Sequence, residues 1–149
     1  MAVHPIWVLR WMSDDDLAAV SEAIARAERR TSAEVRVHLE RHCPGDPTAR
    51  AMAVFEQLAM HDTRDRNGVL VYLALEDHWF AVVGDRGIHQ RVGQLYWDEL
   101  VRTLGADLAG GRLREGLEGA VEALGGALEH HFPHRPDDRN ELSDRVSIG

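Results

Sequence analysis

Apolar residues return along the first third of the chain with two different periods. Between Leu17 and Ala27 they recur every three or four positions, which is typical of an amphipathic helix. From Glu34 to Glu40 they alternate with polar residues, which predicts a strand with one buried face. A second helical pattern runs from Ala51 to Ala59. This part of the chain therefore predicts a helix, a strand and a helix.

The middle of the chain predicts the centre of a β-sheet. Val69 to Leu75 is almost continuously apolar, as expected for a strand that is covered on both faces. Trp79 to Val83 is a second run of strand-forming residues, and only three residues separate the two runs. A connection this short favours an antiparallel hairpin.

The second half of the chain predicts two further helices. Ile88 to Leu108 has a helical apolar stripe with glycines at both ends, and a second stripe runs from Leu117 to Leu128. Glycines inside the last helix disfavour it, so we expect close packing against the sheet to offset them. The polar tail from Pro133 to Gly149 is predicted to be irregular.

These elements predict an α/β fold built on a small mixed sheet. We expect three or four strands, a parallel βαβ crossover and an antiparallel hairpin, with helices packed on the faces of the sheet. A length of 149 residues with 44% hydrophobic content is typical of one domain. We predict a core from about residue 13 to residue 132, an N-terminal arm over 1–12 and a polar tail over 133–149. The arm is predicted to pack on the domain, with a partner-touching or membrane-touching patch as the alternative.

Composition excludes several classes of function. A net charge of -8 argues against nucleic-acid binding, which needs a basic face. The chain has no lysine, so Schiff-base chemistry and a P-loop lysine are excluded. Cys43 is the single cysteine, which excludes an internal disulfide and fits a reducing cytoplasm. A membrane-spanning helix needs about 20 apolar residues, and no apolar segment of the sequence is that long.

Two local motifs suggest chemistry but have simpler structural explanations. Cys43 lies between a strand and a helix, as in cysteine phosphatases, but Ala49 stands where those enzymes need an arginine. His130, His131 and His134 have a spacing that could supply metal ligands, but imidazoles are also favourable at the negative end of a helix. We therefore predict an ordinary loop and a solvated helix end.

A candidate site follows from the predicted topology. If Glu34–Glu40 and Val69–Leu75 are joined by a right-handed helical crossover, both strands start at the same end of the sheet. The hairpin partner runs back and finishes at that end. Glu34, Asp65 and Asp85 would then supply three carboxylates, and oxygen ligands suit Ca²⁺ or Mg²⁺. We call this end of the sheet the rim, and its residues are Thr31, Ser32, Glu34, Asp65, Arg66, Asn67, Gly84 and Asp85.

Three further rim residues are predicted to support the carboxylates, and each also has a structural alternative. Thr31 could bind a helix end, and Asn67 could serve the turn that Asn67-Gly68 predicts. Arg66 could form an ion pair with Asp85 across the rim. The sequence leaves both interpretations of the rim open.

Several stretches of the chain resemble the TPM domain family, and the similarity runs from about Ser13 to Phe132. Ala33 departs from the family pattern, which often has glycine after Thr-Ser. The tail from Asn140 to Gly149 resembles short, soluble bacterial members without a membrane anchor. The stretches that carry the resemblance are Ala27–Val37, Phe55–Met60, Thr63–Leu70, Phe80–Ile88 and Trp97.

The resemblance implies a mixed sheet flanked by helices and includes proteins of the thylakoid lumen phosphatase and photosystem II repair factor type. It also implies divalent-cation binding in some members and acid phosphatase activity in a plant member, but no general catalytic residue set. One hypothesis is a domain that binds Ca²⁺, Mg²⁺ or a protein partner at the rim. The alternatives are a metal-dependent acid phosphatase and an adaptor that binds another protein through its arm and tail, so the sequence leaves open whether the chain is an enzyme.

Overall fold

The computed structural model describes residues 4–63, 65–135 and 146–149. Within them the strands are β1 (Glu34–Glu40), β2 (Gly68–Ala74), β3 (Trp79–Gly84) and β4 (Ser147–Ile148). The helices are α1 (Ile6–Leu9), α2 (Asp14–Glu28), α3 (Pro47–Gln57), α4 (Arg86–Val92), α5 (Gln94–Ala109) and α6 (Leu113–His131). The strands form one sheet in the order β3-β2-β1-β4. The predicted mixed α/β fold is therefore confirmed.

Strand pairing brings the rim to one end of the sheet. β1 and β2 are parallel, with Glu34 opposite Gly68, and α3 connects them as the βαβ prediction requires. β2 and β3 are antiparallel, with Val69 opposite Gly84, which confirms the hairpin. The starts of β1 and β2 and the end of β3 consequently meet at the same edge.

Each face of the sheet contributes to its own hydrophobic core. On one face, Val71 of β2 belongs to a core that includes apolar residues of α2, α5 and α6. On the other face, Leu70 and Tyr72 pack with Val54 and Phe55 of α3. Every residue of β2 is buried, which confirms the prediction of a strand covered on both sides.

The helix starts follow their capping residues. The Ser13 hydroxyl accepts a hydrogen bond from the backbone N–H of Asp16 at 3.0 Å, and the Asp16 carboxylate accepts from the Ser13 N–H at 3.0 Å. This capping box fixes the start of α2. Asp46 caps α3 through the Ala49 N–H, and Asp85 caps α4. Carboxylates at these positions also interact favourably with the positive end of the helix dipole.

The prediction of one helix from Ile88 to Leu108 is wrong, because the chain breaks at Gly93 into α4 and α5. Gly93 has a φ of 80° and a ψ of 163°, an extended conformation at positive φ that interrupts a helix and that is open to glycine because it lacks a Cβ. Ile88 and Trp97 on either side of the break belong to the same core. The apolar stripe therefore continues across the break and conceals it.

Two glycines of α6, Gly116 and Gly125, pack against helices rather than against the sheet, which corrects a second prediction. A Cβ added to Gly125 would lie 3.0 Å from the Cβ of Ala27 on α2. A Cβ added to Gly116 would lie 2.9 Å from the Cβ of Asp107 on α5. These glycines let α2 and α5 approach α6 more closely than a larger residue would allow.

The two ends of the chain also contribute to the fold. Met12 of the arm is buried and belongs to the core, whereas Ile6 is 75% exposed. The tail is not wholly irregular, because β4 pairs in parallel with β1; residues 136–145 lie outside the described residues. Within the part of the chain that the structure describes, no helix combines the length and hydrophobicity that a membrane crossing requires.

Candidate functional site

Asp85 is the rim carboxylate whose surroundings most resemble a binding site. It directly follows β3, and its backbone N–H donates to the carbonyl of Gly68 at the start of β2, at 2.9 Å. Its Oδ1 accepts from the N–H of Arg86 at 2.8 Å. Its Oδ2 is buried and has no hydrogen-bond partner within the described residues. One oxygen therefore caps α4 and the other is unsatisfied.

Asp65 and Arg66 are engaged elsewhere. Oδ2 of Asp65 accepts from Nη2 of Arg135 at 2.7 Å. Arg66 adopts a left-handed backbone conformation with a φ of 51°, and its Nη1 donates to the carbonyl of His61 at 3.0 Å. Oδ2 of Asp85 has no hydrogen-bond partner within the described residues, and the contact that the structure shows for the Arg66 guanidinium is with its own loop.

Thr31 and Asn67 have structural roles. The buried Thr31 hydroxyl lies against the carbonyls of Leu128 and Phe132 at the end of α6, so the helix-end alternative is the one that the structure supports. The backbone N–H of Asn67 donates to the Thr63 hydroxyl at 3.2 Å. Both residues hold the rim in shape rather than contributing oxygens to an open site.

The three predicted carboxylates do not form one cluster of ligands. Glu34 is only 3% exposed at the start of β1, and Asp65 is paired with Arg135. Across residues 4–63, 65–135 and 146–149, no group of three or more His, Cys, Asp or Glu side chains is positioned to hold a metal ion. Of the three, Asp85 is the carboxylate with a buried oxygen that has no hydrogen-bond partner within the described residues.

Two backbone carbonyls lie close to Gly87, two residues after Asp85. Gly87, in the first turn of α4, packs so closely on the loop before β2 that an added Cβ would come within 2.5 Å of the Asp65 carbonyl oxygen. The same Cβ would lie 2.6 Å from the Arg66 carbonyl oxygen, which accepts from the Gly87 N–H at 3.0 Å. Two carbonyl oxygens therefore converge on the start of α4.

An open groove of about 830 Å³ lies beside the rim, between α3, β3 and α4. Asp85 lines it, together with the ionisable residues Glu56, His61, Arg86 and His89. These four are not among the residues that the sequence predicts for the site. The spacing of Asp85 and His89 was an available signal, because residues four apart share one face of a helix.

A second polar cluster is buried at the other end of β1, and we call it the Glu40 cluster: His38, Glu40, Arg50 and Tyr72. Arg50 makes a forked contact with the Glu40 carboxylate, and the Tyr72 hydroxyl donates to Glu40 Oε2 at 2.6 Å. Nδ1 of His38 lies 2.9 Å from the Ser147 hydroxyl of β4. The cluster thus joins α3 and three strands.

Burial and hydrogen bonding set the charges in the Glu40 cluster. Burial would raise the pKa of Glu40, but the hydrogen bonds from Arg50 and Tyr72 outweigh it and lower that pKa below its ordinary value. Burial, and then the bond to Glu40, raises the pKa of the Tyr72 phenol. Burial lowers the pKa of His38, although Glu40 acts in the opposite direction. The hydrogen bonds of the cluster therefore hold the buried Glu40 carboxylate in place.

The chain is similar to known proteins in both sequence and fold. The sequence pattern that defines the TPM domain matches residues 10–127. The NMR structure of the BA42 protein from the psychrophilic bacterium Bizionia argentinensis is 38% identical and superposes with a TM-score of 0.87, covering 93% of this chain and 96% of that chain. No curated protein matches the sequence.

A more distant structure shares the fold alone. The N-terminal domain of cg2496 from Corynebacterium glutamicum is 16% identical and has a TM-score of 0.63, covering 83% of this chain and 84% of that chain. At this identity the similarity concerns the arrangement of helices and strands and carries nothing about the chemistry of the rim.

Proposed function

The chain belongs to the TPM domain family, and from that premise we propose that it is a divalent-cation-binding domain. The cation is Ca²⁺ or Mg²⁺, and the site is the rim around Asp85. Binding there would tie the start of α4 to the loop before β2. The cation would act by stabilising this end of the sheet and the surface beside it.

The observation that supports this function most strongly is the unsatisfied Oδ2 of Asp85. A buried carboxylate oxygen without a donor or a cation is unfavourable. Oδ1 already accepts the Arg86 N–H, and Oδ2 has no partner within the described residues. A cation would neutralise the carboxylate and satisfy the free oxygen together.

The neighbouring groups fit a hard cation. Calcium and magnesium prefer oxygen ligands, including carboxylates, backbone carbonyls and water. The carbonyl oxygens of Asp65 and Arg66 lie against Gly87 at the start of α4, next to Asp85. With one carboxylate in the set, we expect weak binding, with a Kd of about 0.1 to 1 mM.

We expect added Ca²⁺ or Mg²⁺ to raise the melting temperature of the chelator-treated protein. A cation at ten times its Kd adds about 1.4 kcal/mol to the free energy of unfolding, or about 4 °C for a chain of this size. Asp85→Asn should remove most of this shift, because the amide still caps α4 but lacks the charge. Thermal denaturation followed at increasing cation concentration measures both effects.

Asp46→Asn provides the matched control. Asp46 also caps a helix, through the Ala49 N–H at 2.9 Å, but it does not belong to the rim. This variant should keep the full cation-dependent shift. The rim site would be ruled out if the melting temperature of the wild type did not change with added cation. It would also be ruled out if Asp85→Asn and Asp46→Asn lost the same part of that change.

A metal-dependent acid phosphatase is the second candidate function, and the lining of the groove favours it. Arg86 and His89 lie in the same groove as Asp85, so a guanidinium and an imidazole adjoin the proposed cation. There, a bound cation would polarise a phosphate ester and activate water. Turnover of p-nitrophenyl phosphate that stops with chelator and in Asp85→Asn would support this function.

A protein partner is the third candidate for the same groove. Met52 of α3 lines it with 59% of its surface exposed, and β3 is an edge strand of the sheet. An edge strand can accept an additional strand from another chain. Cation titration separates the candidates, because partner binding alone requires no cation-dependent change in melting temperature.

A further inference from the structure

A second groove, of about 470 Å³, lies at the opposite end of β2 from the rim. Its walls come from the N-terminal arm, the β2–β3 hairpin, the end of α5 and the start of α6. We call it the arm groove. Its volume falls within the roughly 300 to 1,000 Å³ of small-molecule sites. None of its lining residues belongs to the rim, so it is independent of the function proposed above.

The interior of the arm groove is aromatic and apolar. Trp11, Trp79 and Phe80 line it together with leucines of β2, α5 and α6. Trp79 is an exposed large hydrophobic residue at 46%, so one indole is available to a ligand from solvent. Flat aromatic surfaces of this kind bind apolar bodies with little loss of side-chain entropy.

The ionisable residues that line the arm groove are both potential cations. They are Arg10 and His78, and no carboxylate lines the groove among residues 4–63, 65–135 and 146–149. Nη1 of Arg10 lies 3.8 Å from Glu76, a loose contact, whereas Glu76 also contacts Arg41 at 2.9 Å and His42 at 3.1 Å. Since Arg41 lies closer to Glu76 than Arg10 does, Arg10 can bind another anion without leaving Glu76 unpaired.

An unsatisfied donor lies in the same wall. Nε1 of Trp11 is buried and has no acceptor within the described residues, and the Trp11 ring packs edge-on against His78 at 5.4 Å. A buried N–H without an acceptor is unfavourable. The groove is therefore lined by apolar side chains, by the Arg10 guanidinium and by an indole whose buried N–H has no acceptor within the described residues.

We propose that the arm groove binds a small amphipathic monocarboxylate. Its apolar body lies on the indoles of Trp11 and Trp79. Its carboxylate accepts hydrogen bonds from the Arg10 guanidinium. Charge-assisted bonds of this kind are stronger than neutral ones, so the site distinguishes a carboxylate from an alcohol of the same length.

Decanoate, used below its micelle concentration, is the probe that tests the site. The indole N–H signals in ¹H–¹⁵N NMR spectra report on the tryptophans, and Trp11→Phe identifies the Trp11 signal. We expect this signal to move progressively and to saturate with decanoate. Decanol should bind at least about tenfold more weakly, because it lacks the charge that a guanidinium recognises.

Two variants address the carboxylate and the cavity separately. Arg10→Met keeps an apolar stem but removes the cation, and should weaken decanoate binding by about tenfold or more. Arg102→Met is the matched control, because Arg102 is exposed on α5 and pairs with Glu99 away from the groove. Gly105→Leu should abolish binding, since Gly105 lines the groove and a Cβ there would already touch Phe80 at 3.4 Å.

Three results would overturn the inference. The first is the lack of a saturable shift of the Trp11 signal with decanoate. The second is that decanol binds as tightly as decanoate, or that Arg10→Met and Arg102→Met weaken decanoate binding equally. The third is a shift of the Trp11 signal with phosphatidylglycerol vesicles but not with decanoate, which would assign the groove to a lipid surface. Arg10→Met keeps the inference testable if Gly105→Leu does not fold.

Discussion

His38 and Glu40 lie two positions apart on β1, and their pKa values are lowered for different reasons. For Glu40, hydrogen bonds from Arg50 and Tyr72 overcome the effect of burial. For His38, burial dominates, Glu40 opposes it, and Arg50 and Arg36 add a small effect in the same direction as burial. Relative to the unfolded chain, the folded protein therefore favours the neutral imidazole of His38 and the charged carboxylate of Glu40.

We predict that His38 makes the protein less stable as the pH falls below about 6.5, the ordinary histidine pKa. The folded state holds the pKa of His38 below that value, so the unfolded chain binds the proton more readily. The free energy of unfolding then decreases as the pH falls from about 6.5 through the lower folded pKa. His38→Gln should flatten this part of the curve.

Urea unfolding at a series of pH values measures this dependence. The lowered pKa of Glu40 acts in a more acidic range, as the pH falls below about 4.3, so the two contributions separate along the pH axis. An identical slope in the wild type and in His38→Gln near pH 6 would contradict the prediction.

The rim and the Glu40 cluster show which parts of a site a sequence can predict. The alternation of β1 and the topology place Asp85 correctly at the rim, because strand direction alone determines which ends meet. The partner of Asp65 depends on loop conformation, because this carboxylate contacts Arg135. The Glu40 cluster could not be predicted from the pattern of β1, because Arg50 lies on α3 and Tyr72 lies on β2.

Helix packing depends on where each glycine of α6 lies. Gly125 faces α2, where an added Cβ would lie 3.0 Å from the Ala27 Cβ and 3.2 Å from its Cα. Gly119 faces open space, with nothing within 4 Å of an added Cβ. One glycine is therefore required for close approach, and the other only reduces helix propensity.

We predict opposite effects for substitutions at these two positions. Gly125→Val should lower the free energy of unfolding by about 1 to 3 kcal/mol, because the added atoms overpack the contact with α2. Gly119→Ala should raise it by about 0.4 to 1 kcal/mol, because alanine favours the helix and restricts the unfolded chain. Equilibrium denaturation of both variants measures these changes. Destabilisation by Gly119→Ala, or stabilisation by Gly125→Val, would contradict this account.

The sequence predicts which helices and strands exist better than it predicts where one of them is interrupted. Apolar periodicity identifies α2, β1, β2 and β3, since each buries one face or both. It misses the division of α4 from α5, because Gly93 interrupts the backbone without interrupting the stripe. It also misses β4, whose two residues are too few to show an alternating pattern.

Across the whole molecule, β2 is the element that unites the two cores. Its two faces contribute to different clusters, and its neighbours on either side are β1 and β3. The rim lies at its start and the arm groove at its end. Ligands at either end therefore act on surfaces that the same buried strand supports.

We predict that the amides of β2 exchange with solvent more slowly than those of any other strand or helix described. Each residue of β2 is buried, and opening the strand requires both cores to separate. Its exchange should therefore require the global free energy of unfolding. Hydrogen exchange followed by NMR measures the rate at each amide.

The ends of the chain supply the internal comparison. α1 has four residues and β4 has two, so local opening exposes their amides without disturbing either core. These amides should exchange much faster than those of β2 and should change little in Gly125→Val, whereas β2 should lose protection in step with global stability. If β2 instead exchanged as fast as α1, the two cores could open separately, and β2 would not be the stable centre of the molecule.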